Sequence, residues 1–448
     1  MTASWLRFFA TGADLPTIAD QGTIDRLYRK HRLRVMLAIT LGYGLIYTCR
    51  LALGVVKKPL LDAGIFTPSE LGMIGSALFF TYAVGKLTNG FLADHANMKR
   101  FLAVAFLTTA LCNLAMGFIT TLWLAVVVWG LNGWFQSFGA PGGVVAMTAW
   151  YSNHERGRTY GIWSTAHSIG EGLTFVGIGA VVATFGWRAG YWAPGVLGVI
   201  TAIGAYLLLQ DRPQTLGLPA VNDWKHDSFG EAKRQDIKSV WALQLSILKL
   251  PSIWILCLAS ATNYVARYAI DSWGILYLQT ERGYSLEMAG TLLMISTLAG
   301  IVGAVAFGFI SDEWFEARRP PVNLMFAVLE LTGLGLLFFG PTNLPMLIVS
   351  MLLYGMGLTG LVTSLGGLFA VDIAPKRVAG AAMGVIGIFS YIGAGIEEQV
   401  SGRLLQQGTT VVDGVHHYNF GPAISFWIGA SVVSMLLALS LWRVRRRD

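Results

Sequence analysis

Leu41-Gly-Tyr-Gly-Leu-Ile-Tyr47-Thr-Cys-Arg50-Leu-Ala52 sets a guanidinium inside an otherwise apolar stretch. The pattern recurs 217 residues later, in Asn263-Tyr-Val-Ala-Arg267-Tyr-Ala269, and both segments read Tyr-x-x-Arg-x-Ala. A charge at the centre of a membrane span costs about 2.5–3.5 kcal/mol on insertion scales. Meeting that cost twice, at matching positions, implies that the charges are used. Two guanidiniums facing one cavity suit a doubly charged oxyanion such as phosphate, because each offers a planar fork of donors. The competing reading is structural pairing with buried acids, and Asp271, one helical turn from Arg267, is such a partner.

Working outward, the surrounding chain is apolar throughout. Of 448 residues, 54% are hydrophobic and 13% charged, against about 25% charged in soluble domains. The 53 glycines fit closely packed membrane helices. The net charge of +7 does not indicate a nucleic-acid partner, because the basic residues gather in loops. Cys49, Cys112 and Cys257 all lie in apolar stretches, with neither metal spacing nor a disulfide framework, so no metal or other cofactor is expected. Residues 1–34 contain acids and no long apolar core, and so do not read as a cleavable signal.

Stretches long enough to cross a bilayer, about 20 residues each, recur twelve times, at 35–56, 70–93, 101–120, 122–149, 158–183, 188–209, 252–277, 287–311, 322–341, 344–371, 379–402 and 421–442. The expected class is an all-α membrane protein of twelve transmembrane helices in two pseudo-symmetric six-helix bundles. The expected organisation is an amino-terminal segment (1–34), a first bundle (35–209), a linker (210–251), a second bundle (252–442) and a basic tail (443–448). Of the 32 Lys and Arg residues, 24 fall on one side of this arrangement. Lys57, Lys58, Arg188, Arg282 and Arg403 fall on the other, and Arg50, Lys86 and Arg267 within spans. The positive-inside rule then places both termini in the cytoplasm.

The halves repeat. Gly90-Phe-Leu-Ala-Asp94 ends the second span and Gly308-Phe-Ile-Ser-Asp312 the eighth, 218 residues on, each followed by a basic pair. Parallel repeats of this kind place a substrate site at their interface, near the midplane.

The Gly-x-x-x-Asp segments followed by basic residues resemble the major facilitator signature. A further set resembles the organophosphate:phosphate antiporter family of that superfamily: Tyr47-x-x-Arg50, Tyr82-x-x-x-Lys86, Asn132-Gly-x-Phe-Gln136, Glu155-Arg156-Gly157, Ala166-His167, and Arg267 followed by Trp273-Gly274. The linker stretch Asp211-Arg-Pro-Gln-Thr-Leu-Gly-Leu-Pro-Ala220 is similar to the hexose-phosphate transporter and sensor (UhpC-like) subgroup. The resemblance implies that Arg50 and Arg267 hold the phosphate moiety, that His167 assists, and that inorganic phosphate is the counter-substrate.

Around that clamp, Lys86 is an accessory anion contact or a cation that snorkels to the interface, and Tyr47 and Tyr264 line the site or pack. Departures from the family pattern fall elsewhere. Glu171 stands where only glycines are expected, Asp271 is shifted by one position, and Glu397-Glu398 replace small or apolar residues. Successive helical positions point about 100° apart, so of the last two acids one is expected in the cavity, and Glu397 is taken as that residue. Asp94, Arg100, Arg156, Asp312 and Arg377 are expected to form a conformational latch on the basic side.

The expected function is secondary transport by alternating access, exchanging a phosphorylated small metabolite, a sugar phosphate foremost, for inorganic phosphate. Exchange is expected to be obligatory, because two arginines without an anion repel in a low-dielectric cavity. The alternative is a receptor for external hexose phosphate that signals to a histidine kinase. An enzyme is not expected, since no nucleophile–base pair or phosphate-cradling glycine loop is recognisable. The expected setting is the inner membrane, as a monomer in the lipid bilayer.

Overall fold

The computed structural model describes residues 8–227, 247–374, 379–412 and 415–443. It is helical apart from a short antiparallel pair, Thr410–Val412 with Val415–His417, between the last two spans. Eleven helices among the described residues are long and apolar enough to cross a membrane. The remaining apolar stretch, span four, is two pieces, Leu122–Gln136 and Gly139–Trp150, interrupted at Ser137-Phe138. Together they make the twelve-helix arrangement.

Local sequence sets the helix ends. Thr67 and Glu70 form a reciprocal capping box at the start of span two, Pro68–His95. Ser285, 218 residues later, caps span eight, Leu286–Trp314, by accepting from the Met288 amide. Such caps satisfy amides that have no partner within the helix. Spans five (Arg156–Phe185) and six (Trp187–Leu208) join through Gly186 alone. Its φ of +81° is a region glycine enters at no steric cost.

Span one starts earlier than the hydropathy suggests and ends later. It runs Gln21–Asp62, capped by Asp20, so the basic run at 26–34 extends this helix instead of preceding it. The linker docks on that extension: Trp224 stacks on Tyr28 at 4.1 Å and donates to Asp25 at 2.7 Å. Much of the linker, the tail beyond Arg443, and Arg377 of the expected latch lie outside the described residues.

Three apolar clusters show how the halves meet. One lies wholly in the first half, around Tyr28, Phe101 and Trp150. Another lies wholly in the second, around Ile253, Phe326 and Leu365. Both sit towards the basic end. The largest crosses between halves, joining Val56 and Phe79 to Trp273, Leu278 and Tyr391.

The glycines report the same asymmetry. A β-carbon on Gly72 would lie 2.4 Å from the Glu398 carbonyl oxygen, and one on Gly290 would lie 2.1 Å from that of Phe175. At Gly90, Gly161, Gly308 and Gly384, on the basic ends of spans two, five, eight and eleven, a β-carbon would meet nothing within 4 Å. The halves are therefore sealed at one end and parted at the basic end. Large apolar side chains such as Phe91, Leu131, Phe185, Val305 and Phe339 face outward, as a lipid-facing surface requires.

Candidate functional site

Spans one and five approach backbone to backbone, which sets the amino-terminal wall of the site. A β-carbon on Gly170 would lie 2.3 Å from the Gly44 carbonyl oxygen and 2.5 Å from Cβ of Tyr47. Only glycine permits that spacing, and it brings His167 and Glu171 alongside Tyr47. Directly after Glu171, span five widens into a π turn, Leu173–Ile178, a feature frequent at functional sites.

Arg50 is buried and held by neutral groups. Its Nε donates to Gln136 Oε1 at 2.9 Å, and Nη1 donates to the hydroxyls of Tyr391 (3.0 Å) and Tyr47 (3.4 Å). The guanidinium also lies 4.3 Å from the Tyr82 ring centroid, within cation–π range. Gln136 donates in turn to Asn132, which donates to the Cys49 carbonyl. The Asn132-Gly-x-Phe-Gln136 motif thus orients Arg50, from the last turn before the break in span four. Among the described residues, Nη2 of Arg50 is buried without a partner, a costly condition for a charged donor.

Arg267 is held differently. Its Nε donates to Asp271 on its own helix at 3.2 Å, and its Nη2 donates to Glu171 from the other half. A row of tyrosine rings connects the two arginines: Tyr82 and Tyr391 at 4.2 Å, Tyr391 and Tyr264 at 5.6 Å, Tyr264 and Tyr268 at 6.0 Å. Lys86 reaches from span two towards the same row, with Nζ 5.0 Å from the Tyr391 centroid. A cavity of about 210 Å³ is lined by Tyr43, Tyr47, His167, Tyr264, Arg267 and Tyr391, and also by Tyr160 and Trp163 nearer the basic end.

Most of the residues singled out from sequence therefore converge: Arg50, Arg267, His167, Lys86, Tyr47, Tyr264, Glu171 and Asp271. Glu397 does not join them. It accepts from Ser401 at 2.6 Å, and Ser401 accepts from Trp427 of span twelve, so the side chain points into the second bundle. Its neighbour Glu398 takes the interface instead. Lys57, expected in an outer loop, is fully buried in the same place. Its Nζ donates to Glu398 at 2.8 Å and Ser272 at 2.7 Å and sits 3.3 Å from the Trp273 ring centroid. This bridge joins spans one, seven and eleven across the halves at the sealed end.

Among the described residues, the latch residues at the basic end pair within halves, not across them. Asp312 accepts from Arg319 at 2.8 Å, and Arg319 also donates to Asp372 at 2.7 Å. Arg100 donates to the Phe8 carbonyl and Arg156 to that of Thr148. Asp94 is exposed and holds no ion pair among the described residues. A latch across the halves requires them to close at this end, and here they stand apart.

Sequence reasoning missed Tyr391, Tyr268 and Lys57. Tyr391 adjoins Ile392-Gly393-x-Gly395, which matches Ile169-Gly170-x-Gly172 of span five, but nothing marks an aromatic in an apolar helix as a cavity residue.

Comparison with known proteins extends this geometry. The chain is 34% identical over 435 residues to the membrane sensor protein UhpC of Escherichia coli (strain K12), covering 96% of this chain and 97% of that one. It is 30% identical over 463 residues to a probable hexose phosphate transport protein of Chlamydia trachomatis serovar D, covering 99% and 98%. Among solved structures, its fold is similar to that of a bacterial homologue of the human lysosomal transporter Spinster, with a TM-score of 0.71, 16% identity, and 92% and 95% coverage. The Major Facilitator Superfamily model matches residues 35–396. With that match over most of its length and two helical bundles closing on a shared cavity, the chain is a multi-pass integral membrane protein, not an enzyme, and belongs to the Major Facilitator Superfamily.

Proposed function

We propose that the protein carries a phosphorylated small metabolite across the membrane by alternating access and can exchange it for inorganic phosphate. One observation carries this reading: an arginine from each half reaches the interface between bundles, beside a cavity that opens towards one end. Arg50 and Arg267 hold the phosphate, with His167, Lys86, Tyr47 and Tyr264 as further donors. Charge-assisted hydrogen bonds from a guanidinium fork are strong and geometrically selective. Similarity to a probable hexose phosphate transport protein supports a sugar phosphate as the cargo.

In this proposal the bundles 35–209 and 252–442 rock about the site. Positive charge on the loops supports a cytoplasmic location for the parted end and both termini, and the chain acts as a monomer in the inner membrane. The sealed end, held by Lys57 and Glu398, then faces outward. The test is uptake of labelled phosphate into phosphate-loaded proteoliposomes, challenged with glucose 6-phosphate, glycerol 3-phosphate and phosphoglycerate. Competition by at least one ester is expected, and exchange indifferent to every ester would overturn the reading.

Similarity to a membrane sensor protein over nearly the whole chain favours a second reading, a receptor for external hexose phosphate that acts on a histidine kinase. Fast exchange by the purified protein alone would exclude a purely signalling role.

A further inference from the structure

The two arginines of the clamp differ in what holds them. Arg50 is surrounded by neutral partners, and one of its buried nitrogens has none among the described residues. Arg267 is already engaged by two carboxylates. One of them, Asp271, sits on its own helix four residues away and moves with it. The other, Glu171, comes from span five in the opposite half, so its bond to Arg267 crosses the interface that must open and close. Glu171 is well placed for this. Its side chain is 8% exposed, the Gly44–Gly170 contact presses its helix against span one, and it shares a small pocket with His167, Arg267, Asp271 and Tyr354.

We propose that Glu171 is a tethered counter-anion. It occupies Arg267 when no ligand is bound, and the ligand's phosphate must displace it. This rests on the transport reading above and deepens it.

The physical argument concerns the empty state. Two guanidiniums brought together across a low-dielectric cavity repel, and a carrier with only those charges would need a bound anion to reorient. A carboxylate supplied by one half to the arginine of the other replaces that repulsion with attraction. The empty protein then closes on its own glutamate. Exchange for phosphate remains available, but it is not obligatory. The cost appears in binding: a phosphate reaching Arg267 meets the negative charges of Glu171 and Asp271 and must turn Glu171 away. Asp271 lacks this bridging role, because a bond within one helix does nothing to draw the halves together.

Two measurements on purified protein test the proposal. In proteoliposomes, uptake of labelled organophosphate into phosphate-free vesicles is expressed as a ratio to uptake into phosphate-loaded vesicles. Glu171→Gln is expected to lower that ratio at least tenfold, while Asp271→Asn lowers it far less. In detergent, inorganic phosphate is expected to bind Glu171→Gln at least fivefold more tightly than the parent. A ratio unchanged by Glu171→Gln, or phosphate binding that is equal or weaker, would overturn the proposal. If the parent protein exchanged no organophosphate at all, the transport reading would fail, and the phosphate-binding comparison would still decide the role of Glu171.

Discussion

Removing Lys57 should move the conformational balance by a calculable amount. In the sealed state its ammonium and the Glu398 carboxylate are 0% and 2% exposed and 2.8 Å apart, with Ser272 bonded to both. Lys57→Met strands Glu398 in that setting. Losing one partner of a buried pair costs about 3–5 kcal/mol. Separation of the halves at this end hydrates Glu398 and removes the cost. The sealed state should therefore lose about 3 kcal/mol relative to the state open at that end, roughly a 100-fold change in their ratio.

Cysteine reactivity reads that ratio directly. Ser76, buried where span two meets Gln399, samples the sealed end, and Gly384 samples the parted end. The native Cys49, Cys112 and Cys257 are buried and contribute a slow background. In Ser76→Cys, the added Lys57→Met should accelerate maleimide labelling by one to two orders of magnitude, and labelling of Gly384→Cys should slow. Adding Glu398→Gln removes the stranded charge and should restore most of the original pattern. Labelling unchanged at both positions, or a double variant as open as Lys57→Met alone, would refute the gate.

Other expectations follow from the site. Arg50→Lys and Arg267→Lys keep the charge but lose the planar fork, and each should weaken phosphate binding about 10- to 100-fold, as expected for losing charged hydrogen bonds worth about 1.5–3 kcal/mol; normal binding in a titration of both would make the arginines structural. Gln136→Leu strips the acceptor from Arg50 Nε and should lower exchange by about tenfold or more through a misoriented guanidinium, with the protein still monodisperse; unaltered exchange kinetics would argue against Gln136 as a positioning residue. Burial acts to raise the pKa of Glu155, but its bonds with Arg32 outweigh that and hold it below the usual carboxylate value. The bridge therefore contributes stability above the unfolded carboxylate pKa and loses it as pH falls through the depressed one. Thermal melts between neutral pH and pH 4 should show a smaller acid-induced drop in Arg32→Gln than in the parent.

The sequence made some of this legible for physical reasons. Arg50, Lys86 and Arg267 stand out because charge is rare in membrane spans, and the 217-residue spacing pairs two of them. Lys57 was hidden by the same rule. Hydropathy ends span one at the Lys57-Lys58 pair, but the helix continues to Asp62. Adjacent helical positions diverge by about 100°, so Lys58 pairs with Asp62 at the edge while Lys57 turns inward. That geometry also says Glu397 and Glu398 must part, without saying which meets the interface. The break at Ser137-Phe138 is invisible to hydropathy, since both flanks are apolar. Tyr391 gives no signal because a ring facing a cavity and one facing lipid have the same sequence context. The latch could not be placed either, since its partners depend on which end of the carrier is closed.

The unequal state of the two arginines has a consequence for the order of events. In the proposed transport cycle, a phosphate approaching from the parted end passes Tyr160 and Trp163, which line the cavity nearer that end, before the arginines. Arg50 offers a buried donor with no bond to break among the described residues, whereas Arg267 offers donors already bonded to Glu171 and Asp271. First contact with Arg50 therefore costs less, and engagement of Arg267 becomes the second step, in which phosphate replaces Glu171 between the halves. Before that step a carboxylate joins the bundles, and after it the ligand does. The amino-terminal arginine then contributes chiefly to affinity, while the carboxyl-terminal one couples affinity to movement. On this reasoning Arg50→Lys should raise the phosphate concentration needed for half-maximal exchange with less effect on its ceiling. Arg267→Lys should lower the ceiling itself, because a lysine that stays bonded to Glu171 can no longer pass the halves from one anion to the other.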